Sequence, residues 1–322
     1  GTKTRADPSP TQSFVPTPAM LAGDFTAITS PACNNGRQIA LRAPFVGNRI
    51  DPAQFSKPAL AIVGRSDFPK PVDGCGLVTW GNPFVSNDHM AVGRVDYQLS
   101  SSLSIFGRYL ADSSRGPAPY ELTHNVLSTI TTDNSGLAQA FTIGATYLIS
   151  PSTVNSLRLT GNRTATGNYV PSFFDYSTIG IKNMYIPYPG KVGTFGVTGG
   201  FSLSASISGK TRSNFVGGSD DLTLVRGSHQ IAFGASGGQF MDLGANEHTP
   251  MGSMTFNGQI TGLGMADFLT GNLFQFEQGL SVPRNDYKYY FGAYVADTWK
   301  ATRKLTVNYG MRWEPQFPHS YK

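Results

Sequence analysis

The side chains able to do chemistry are few and scattered. Five histidines, His89, His124, His229, His248 and His319, would be the first metal or proton-relay candidates. None lies within ligand spacing of another, and zinc needs three or four close nitrogen or sulfur ligands. Asp220 and Asp221 are adjacent carboxylates, but neighbours in an extended chain point to opposite faces, so they form no acid–base pair. The glycine-rich stretch Val197–Gly200 lacks the Lys-Ser/Thr and the following helix of a phosphate cradle. Ser228 in GSH and Ser281 in SVP are nucleophile-like residues without the partners of a catalytic set. The expectation is therefore no enzyme, no metal and no cofactor. Cys33 and Cys75 are the two cysteines. A disulfide, natural in an oxidising compartment, and a pair of free thiols both fit them.

The elements that would position these groups are unlike those of a soluble enzyme. Charged residues make up 14% of the chain and hydrophobic ones 39%, against roughly 25% charged in ordinary globular domains. Aromatics reach 12%, with 37 Gly and 21 Pro. Low charge with moderate hydrophobicity suits strands that alternate apolar and small polar residues, with aromatic belts. The net charge of +5 is spread along the chain. Nucleic-acid binding would need a basic stripe or cluster, so no nucleic-acid partner is expected. No apolar run approaches the roughly 20 residues of a membrane helix.

Residues 1–88 are punctuated by proline and carry little periodicity, which predicts a long loop region with local structure. From His89 the pattern becomes period two. Val95, Tyr97 and Leu99 alternate with Arg94, Asp96 and Gln98, and Leu103, Ile105, Gly107 and Tyr109 follow a turn of three serines. The unit recurs, giving hairpins at about 89–112, 137–162, 214–239 and 287–314. Their turns are short, whereas the links between hairpins run to about 25, 50 and 45 residues, far above the usual loop length. Short turns alternating with long loops predict an outer-membrane barrel, with short turns in the periplasm and long loops outside. In lipid every backbone polar group must pair, so such strands must belong to a closed sheet.

The expected fold is all-β: an antiparallel transmembrane β-barrel segment of about eight strands in four hairpins. Residues 1–88 form a long extracellular loop region and 89–322 a partial barrel. Arg94, Asp96, Arg108, Arg158, Arg312 and Glu314 fall on the face expected to point into the lumen, since Arg facing lipid near the midplane costs about 2–4 kcal/mol. Tyr97, Tyr147, Trp299 and Trp313 sit near strand ends, where aromatic girdles belong. With short turns in the periplasm, the first of these strands enters from outside and the eighth returns there, which predicts a piece of a larger barrel.

Several stretches resemble a known family. YYFGAYVADTWKATRKLTVNYGMRWEP, Tyr289 to Pro315, and VGRVDYQLSSSLSIFGRY, Val92 to Tyr109, are similar to hairpins of Oar-like TonB-dependent receptors. GDF at Gly23–Phe25, FVGNRIDP at Phe45–Pro52 and ADFLTG at Ala266–Gly271 resemble loop motifs of that group. The resemblance runs from about Val15 to Pro315. It implies a 22-stranded barrel with a plug, uptake of an unknown bulky ligand, and outer-membrane lipid as surroundings. It also implies a TonB-type energy complex as partner, engaged through parts of the protein outside this stretch.

Phe173, Phe174, Tyr176, Tyr185 and Tyr188, with Tyr169, Phe274 and Phe276, are candidates to line a ligand vestibule, or else to pack the loops together. ADFLTG is expected to be a structured turn rather than a short helix. Three functions follow: a receptor that transports its ligand across the outer membrane, a surface binding or adhesion barrel without active transport, and, third, a soluble extracellular β-protein.

Overall fold

Tight turns build the large sheet. In the computed structural model, which describes residues 1–168, 171–191, 193–204, 209–247 and 249–321, sixteen strands are seen: β1 (Thr2–Ala6), β2 (Thr11–Phe14), β3 (Leu77–Trp80), β4 (Phe84–Gln98), β5 (Leu103–Gly116), β6 (Asn134–Ser150), β7 (Thr153–Asn168), β8 (Thr194–Val197), β9 (Ser202–Leu203), β10 (Gly209–Arg226), β11 (His229–Glu247), β12 (Ser253–Phe256), β13 (Gln275–Glu277), β14 (Ser281–Lys300), β15 (Thr306–Trp313) and β16 (Ser320–Tyr321). The helices are short: α1 (Pro18–Leu21), α2 (Thr26–Thr29), α3 (Lys57–Val63), α4 (Pro119–Thr123) and α5 (Gly264–Thr270).

The four expected hairpins are β4–β5, β6–β7, β10–β11 and β14–β15. Leu99 N–H bonds to Leu103 O at 2.9 Å to close the serine turn. The β10–β11 turn is two residues, Gly227 and Ser228, and Gly227 adopts φ +61°, a conformation that costs glycine little. Hairpin pairs join side by side into an antiparallel sheet of order β1-β4-β5-β6-β7-β10-β11-β14-β15, with β16 also on β14. Among the described residues this sheet is open, with β1 and β15 at its edges.

Two details differ from the sequence reading. Thr2–Ala6, inside the expected loop region, forms a strand against Phe84–Asp88, and the first hairpin begins at Phe84 rather than His89. The long strands are also longer than the hairpins read from periodicity: β14 has 20 residues and β11 has 19. A tilted strand needs about 9–11 residues to cross the hydrocarbon layer. Their far ends alternate less cleanly, so period two fades before the hydrogen bonding does.

Among the described residues the hydrophobic core lies in the segment before the first hairpin and in the links between hairpins. Val15, Met20, Phe25, Ile50, Ile62 and Phe68 come from the first segment, Val126 and Leu127 from the β5–β6 loop, Tyr176, Phe195 and Phe201 from the β7–β10 loop, and Phe256, Met265, Phe268 and Leu269 from the β11–β14 loop. Strands β13-β12-β8-β9 form a second, small sheet, with β8 and β12 parallel. These loops make one cap at the end of the sheet opposite the tight turns.

Candidate functional site

Register assigns every strand residue to a face, because directly opposed residues project to the same side. Arg94 opposes Arg108, which opposes Thr142. Asp96, Phe106, Gly144, Arg158, Ser219 and Ser236 form another such row. Arg312 opposes Tyr294, in line with Gly234 and Asp221, and Glu314 lies two residues beyond Arg312. Arg94, Asp96, Arg108, Arg158, Arg312 and Glu314 therefore share one face.

The intervening positions make the other face, including Val95, Gly107, Ile143 and Leu159. Val95 is 72% exposed, Met311 72% and Trp313 60%. Tyr97, Tyr147, Trp299 and Trp313 all lie on this apolar face.

The polar face is internally bonded. Arg94 donates twice to Asp96, at 2.8 and 2.9 Å, with its guanidinium 4.0 Å from the Phe106 ring centroid. Tyr294 donates to Asp221 at 2.7 Å, and Arg158 lies 4.0 Å from the same carboxylate. Tyr290 donates to Glu314 at 2.8 Å and accepts from Arg312 at 2.8 Å, while Arg312 and Glu314 pair directly. These are hydrogen-bonding groups suited to a hydrated surface; no nucleophile–base pair stands among them.

One constellation escaped sequence reading. On the apolar face at the tight-turn end, His229 Nδ1 lies 2.6 Å from Asp297 Oδ2, Tyr309 donates to the same oxygen at 2.7 Å, and His229 stacks on Trp299. The members are far apart in sequence and only cross-strand register joins them. No hydrogen bond joins a serine or cysteine to His229 among the described residues. Among the described residues no three His, Cys, Asp or Glu side chains gather as a metal group; His248 lies outside the described residues.

The cap explains the loop motifs. GDF and FVGNRIDP clip together: Asp24 pairs with Arg49 at 2.9 Å, Phe25 N–H bonds to Asn48 O, and Ile50 N–H bonds to Gly23 O. Gly23 has φ +89°, and a Cβ there would meet Ile50 O at 2.1 Å, so the clip requires glycine. ADFLTG is a helix, α5, contrary to the expected turn. Met265, Phe268 and Leu269, at helical spacing, are all buried, and Asp267 accepts the Thr261 N–H at 2.8 Å. Phe268 meets Phe201 and Phe256 edge-on, and Phe201 meets Phe68. Cys33 and Cys75 form a disulfide, with Cα atoms 5.4 Å apart.

The vestibule aromatics divide. Phe174 and Tyr176 are buried in the cap core and so are withdrawn from any ligand, a correction to their place in the candidate vestibule. Burial pushes the Tyr176 hydroxyl up to about 12, and it donates to Met251 O at 2.6 Å. Phe173 is half-buried against Phe174 and Tyr120. Tyr188 is half-buried, whereas Tyr185, Phe274 and Phe276 are exposed. Tyr169 lies outside the described residues.

A polar knot ties three of the loops. Arg65 donates to Asp67 at 2.7 and 2.8 Å, Tyr120 donates to Asp67 at 2.6 Å, and Arg65 lies over the Phe174 ring. Burial raises the Asp67 carboxyl, but the bonds from Arg65 and Tyr120 outweigh it and hold the group below the usual carboxylate range.

An open antiparallel sheet with one apolar and one polar face, its long links gathered at one end, is the wall of a membrane β-barrel. Comparison agrees: over residues 1–322 the chain matches the outer membrane beta barrel domain family, and it belongs to that family. It is thus a bacterial outer-membrane protein. Among solved structures it is similar to the outer membrane transporter YddB from Escherichia coli, at 12% identity and TM-score 0.44, covering 80% of this chain and 31% of that one. It is also similar to the Ferric-Catecholate import receptor Fiu from K12 E. coli in its closed form, at 13% identity and TM-score 0.45, covering 71% and 34%. The chain spans about a third of the length of either. No curated protein matches it.

Proposed function

We propose that this chain is part of the barrel of a TonB-dependent receptor that takes up a bulky ligand across the outer membrane, without catalysing a reaction. One observation carries the reading: the links of the hairpins share a single buried core at the outer end of a wall whose other face is lined with paired charges. A cap of this kind can select a ligand at the surface, and the bonded polar face supplies a hydrated path beneath it. The polar face is accordingly the lumenal one and the apolar face meets lipid. Energy would reach the barrel through a TonB-type complex acting on parts of the protein beyond this chain.

The test uses cells with and without the full-length protein, offered labelled ferric chelates, oligosaccharides and peptides. Protein-dependent accumulation of one class, abolished by a protonophore, is expected. Binding that stays at the surface and resists the protonophore would instead make this an adhesion barrel. Equal accumulation with and without the protein refutes the uptake reading.

A further inference from the structure

Charge stands above the apolar band on the apolar face itself. Arg115 of β5, Ser135, Gly167 and Lys210 of β10 form one register row. At about 4.8 Å per strand its ends are roughly 14 Å apart. Arg212 opposes Ala165, and Arg163 opposes Gln139 and Asn214. All four cations thus project from the face that carries Ile143 and Leu159. Each lies about ten residues or more from its tight turn, the length that crosses the hydrocarbon layer.

They line a cavity of about 1050 Å³. Small residues between them, Ser135, Ala165 and Gly167, leave the space open. Two carboxylates also border it, Glu121 and Asp133, and Glu121 is engaged by the Ala118 N–H at 3.1 Å. Arg115, Arg163, Lys210 and Arg212 are exposed and make no ion pair or hydrogen bond among the described residues. This contrasts with the polar face, where Arg94, Arg158 and Arg312 are each matched to an acid.

Four unmatched cations around an open ledge call for an anion, and the surface below calls for hydrocarbon. Phe141, Ile143, Leu159 and Val216, on the same face, are 47%, 45%, 51% and 59% exposed. A molecule with phosphates above acyl chains satisfies both, whereas a soluble anion uses only the upper half. Basic side chains at a membrane boundary attract phosphorylated headgroups in this way. We propose that the ledge formed by Arg115, Arg163, Lys210 and Arg212 holds the phosphorylated headgroup of an outer-leaflet lipid. The proposal rests on the apolar face meeting lipid.

The experiment titrates the full-length protein, in detergent micelles, with bisphosphorylated lipid A, with its dephosphorylated form and with inorganic phosphate, following binding by native mass spectrometry. Saturable binding of the phosphorylated lipid is expected, with at least about tenfold weaker binding of the dephosphorylated form. The Arg163→Gln, Arg212→Gln double variant should weaken it about twentyfold, at roughly fivefold per charge, and the Arg163→Lys, Arg212→Lys variant should keep most of it. Heat-modifiable mobility on a gel checks that each variant is folded. Equal affinity for the two lipid forms, unchanged affinity in the glutamine variant, or displacement by inorganic phosphate at similar concentration overturns the lipid site. A nitroxide at Val95→Cys tests the orientation separately. Accessibility to oxygen in the bilayer supports it, so a lipid-exposed Val95 position with no headgroup preference sinks the ledge alone. Accessibility to an aqueous relaxant sinks the orientation with it.

Discussion

The cap and the wall use the same residue types in opposite ways. In the cap, Phe25, Ile62, Phe268 and Leu269 are at most 1% exposed and form one interior. In the wall, Val95, Tyr97, Met311 and Trp313 stand more than half exposed, and among the described residues no long-strand side chain joins the hydrophobic core. The cap is stabilised as a water-soluble domain is, by removing apolar surface from water. The wall is stabilised by its hydrogen-bond ladder, with its apolar face left for a solvent that is itself apolar. One chain therefore carries two patterning rules, and the boundary between them follows the ends of the hairpins.

The largest expected effect that separates the two regions comes from emptying the cap. Phe268→Ala should cost about 3–5 kcal/mol, as buried Phe truncations do, and the loss should stay local. Hydrogen exchange should accelerate throughout residues 7–83 and 171–204 while β5, β6 and β7 keep their protection. Equal acceleration in those strands would mean that cap and wall unfold as one unit.

The next test sets the two faces of a single strand against each other. Ile143→Arg places a cation in lipid and should cost about 2–4 kcal/mol. Thr142→Arg, one residue earlier on the polar face beside Arg108, should cost far less. Urea unfolding in lipid vesicles, followed by tryptophan fluorescence, reads both. Similar losses for the two would remove the distinction between the faces.

Replacing Cys33 and Cys75 by Ser should weaken the cap by about 2–4 kcal/mol, because the bond closes a long loop in the unfolded chain, with a sequence separation of 42. Proteolysis between the two positions should become faster, and heat-modifiable mobility of the barrel should persist.

The division between the regions also marks what the sequence discloses. The wall was legible because its rule is local: Leu103, Ile105 and Tyr109 alternate with Ser104 and Arg108 within one strand, and three serines announce the turn. Cross-strand register puts Arg94, Asp96, Arg108, Arg158, Arg312 and Glu314 on one face, as alternation within each strand predicts. The cap was not legible in that way. Its strands are two to four residues long, too short for any period, and β8 finds β12 more than fifty residues later in a parallel pairing. Whether Phe174 and Tyr176 line a vestibule or pack the loops is open in the sequence, because the partners that bury them, Arg65 for Phe174 and Phe195 and Met251 for Tyr176, are named only by the tertiary fold. ADFLTG has a helical apolar spacing, but the seven residues of α5 are too few to hold a helix in water without packing, so the helix depends on the core around it. The disulfide stayed open for the same reason, since spacing says nothing about which side chains a folded loop brings together.

The smallest expected effect tests whether the cap behaves as a water-exposed domain with its own acid limit. Asp67 joins the first segment, through Arg65, to the β5–β6 loop, through Tyr120. Its carboxyl is held below the ordinary value of about 3.9 for an unfolded Asp, by bonds that outweigh the cost of burial. A depressed carboxylate stabilises the fold fully above the unfolded value, and that contribution disappears as pH falls through the folded one. Cap stability should thus be flat with respect to this group from neutrality down to about pH 5 and decline below about pH 4. Asp67→Asn should lower it by about 1.5–3 kcal/mol at neutral pH, the usual worth of hydrogen bonds to a charged group, and should remove this part of the acid decline. Hydrogen exchange across residues 118–130 at stepped pH, corrected for intrinsic rates, measures both. An acid decline of the same size in the asparagine variant would assign the sensitivity to other carboxylates of the cap, with Asp175, which accepts from Ser177 and Gly190 and is likewise held low, first by the Ser177 hydroxyl, the next to replace.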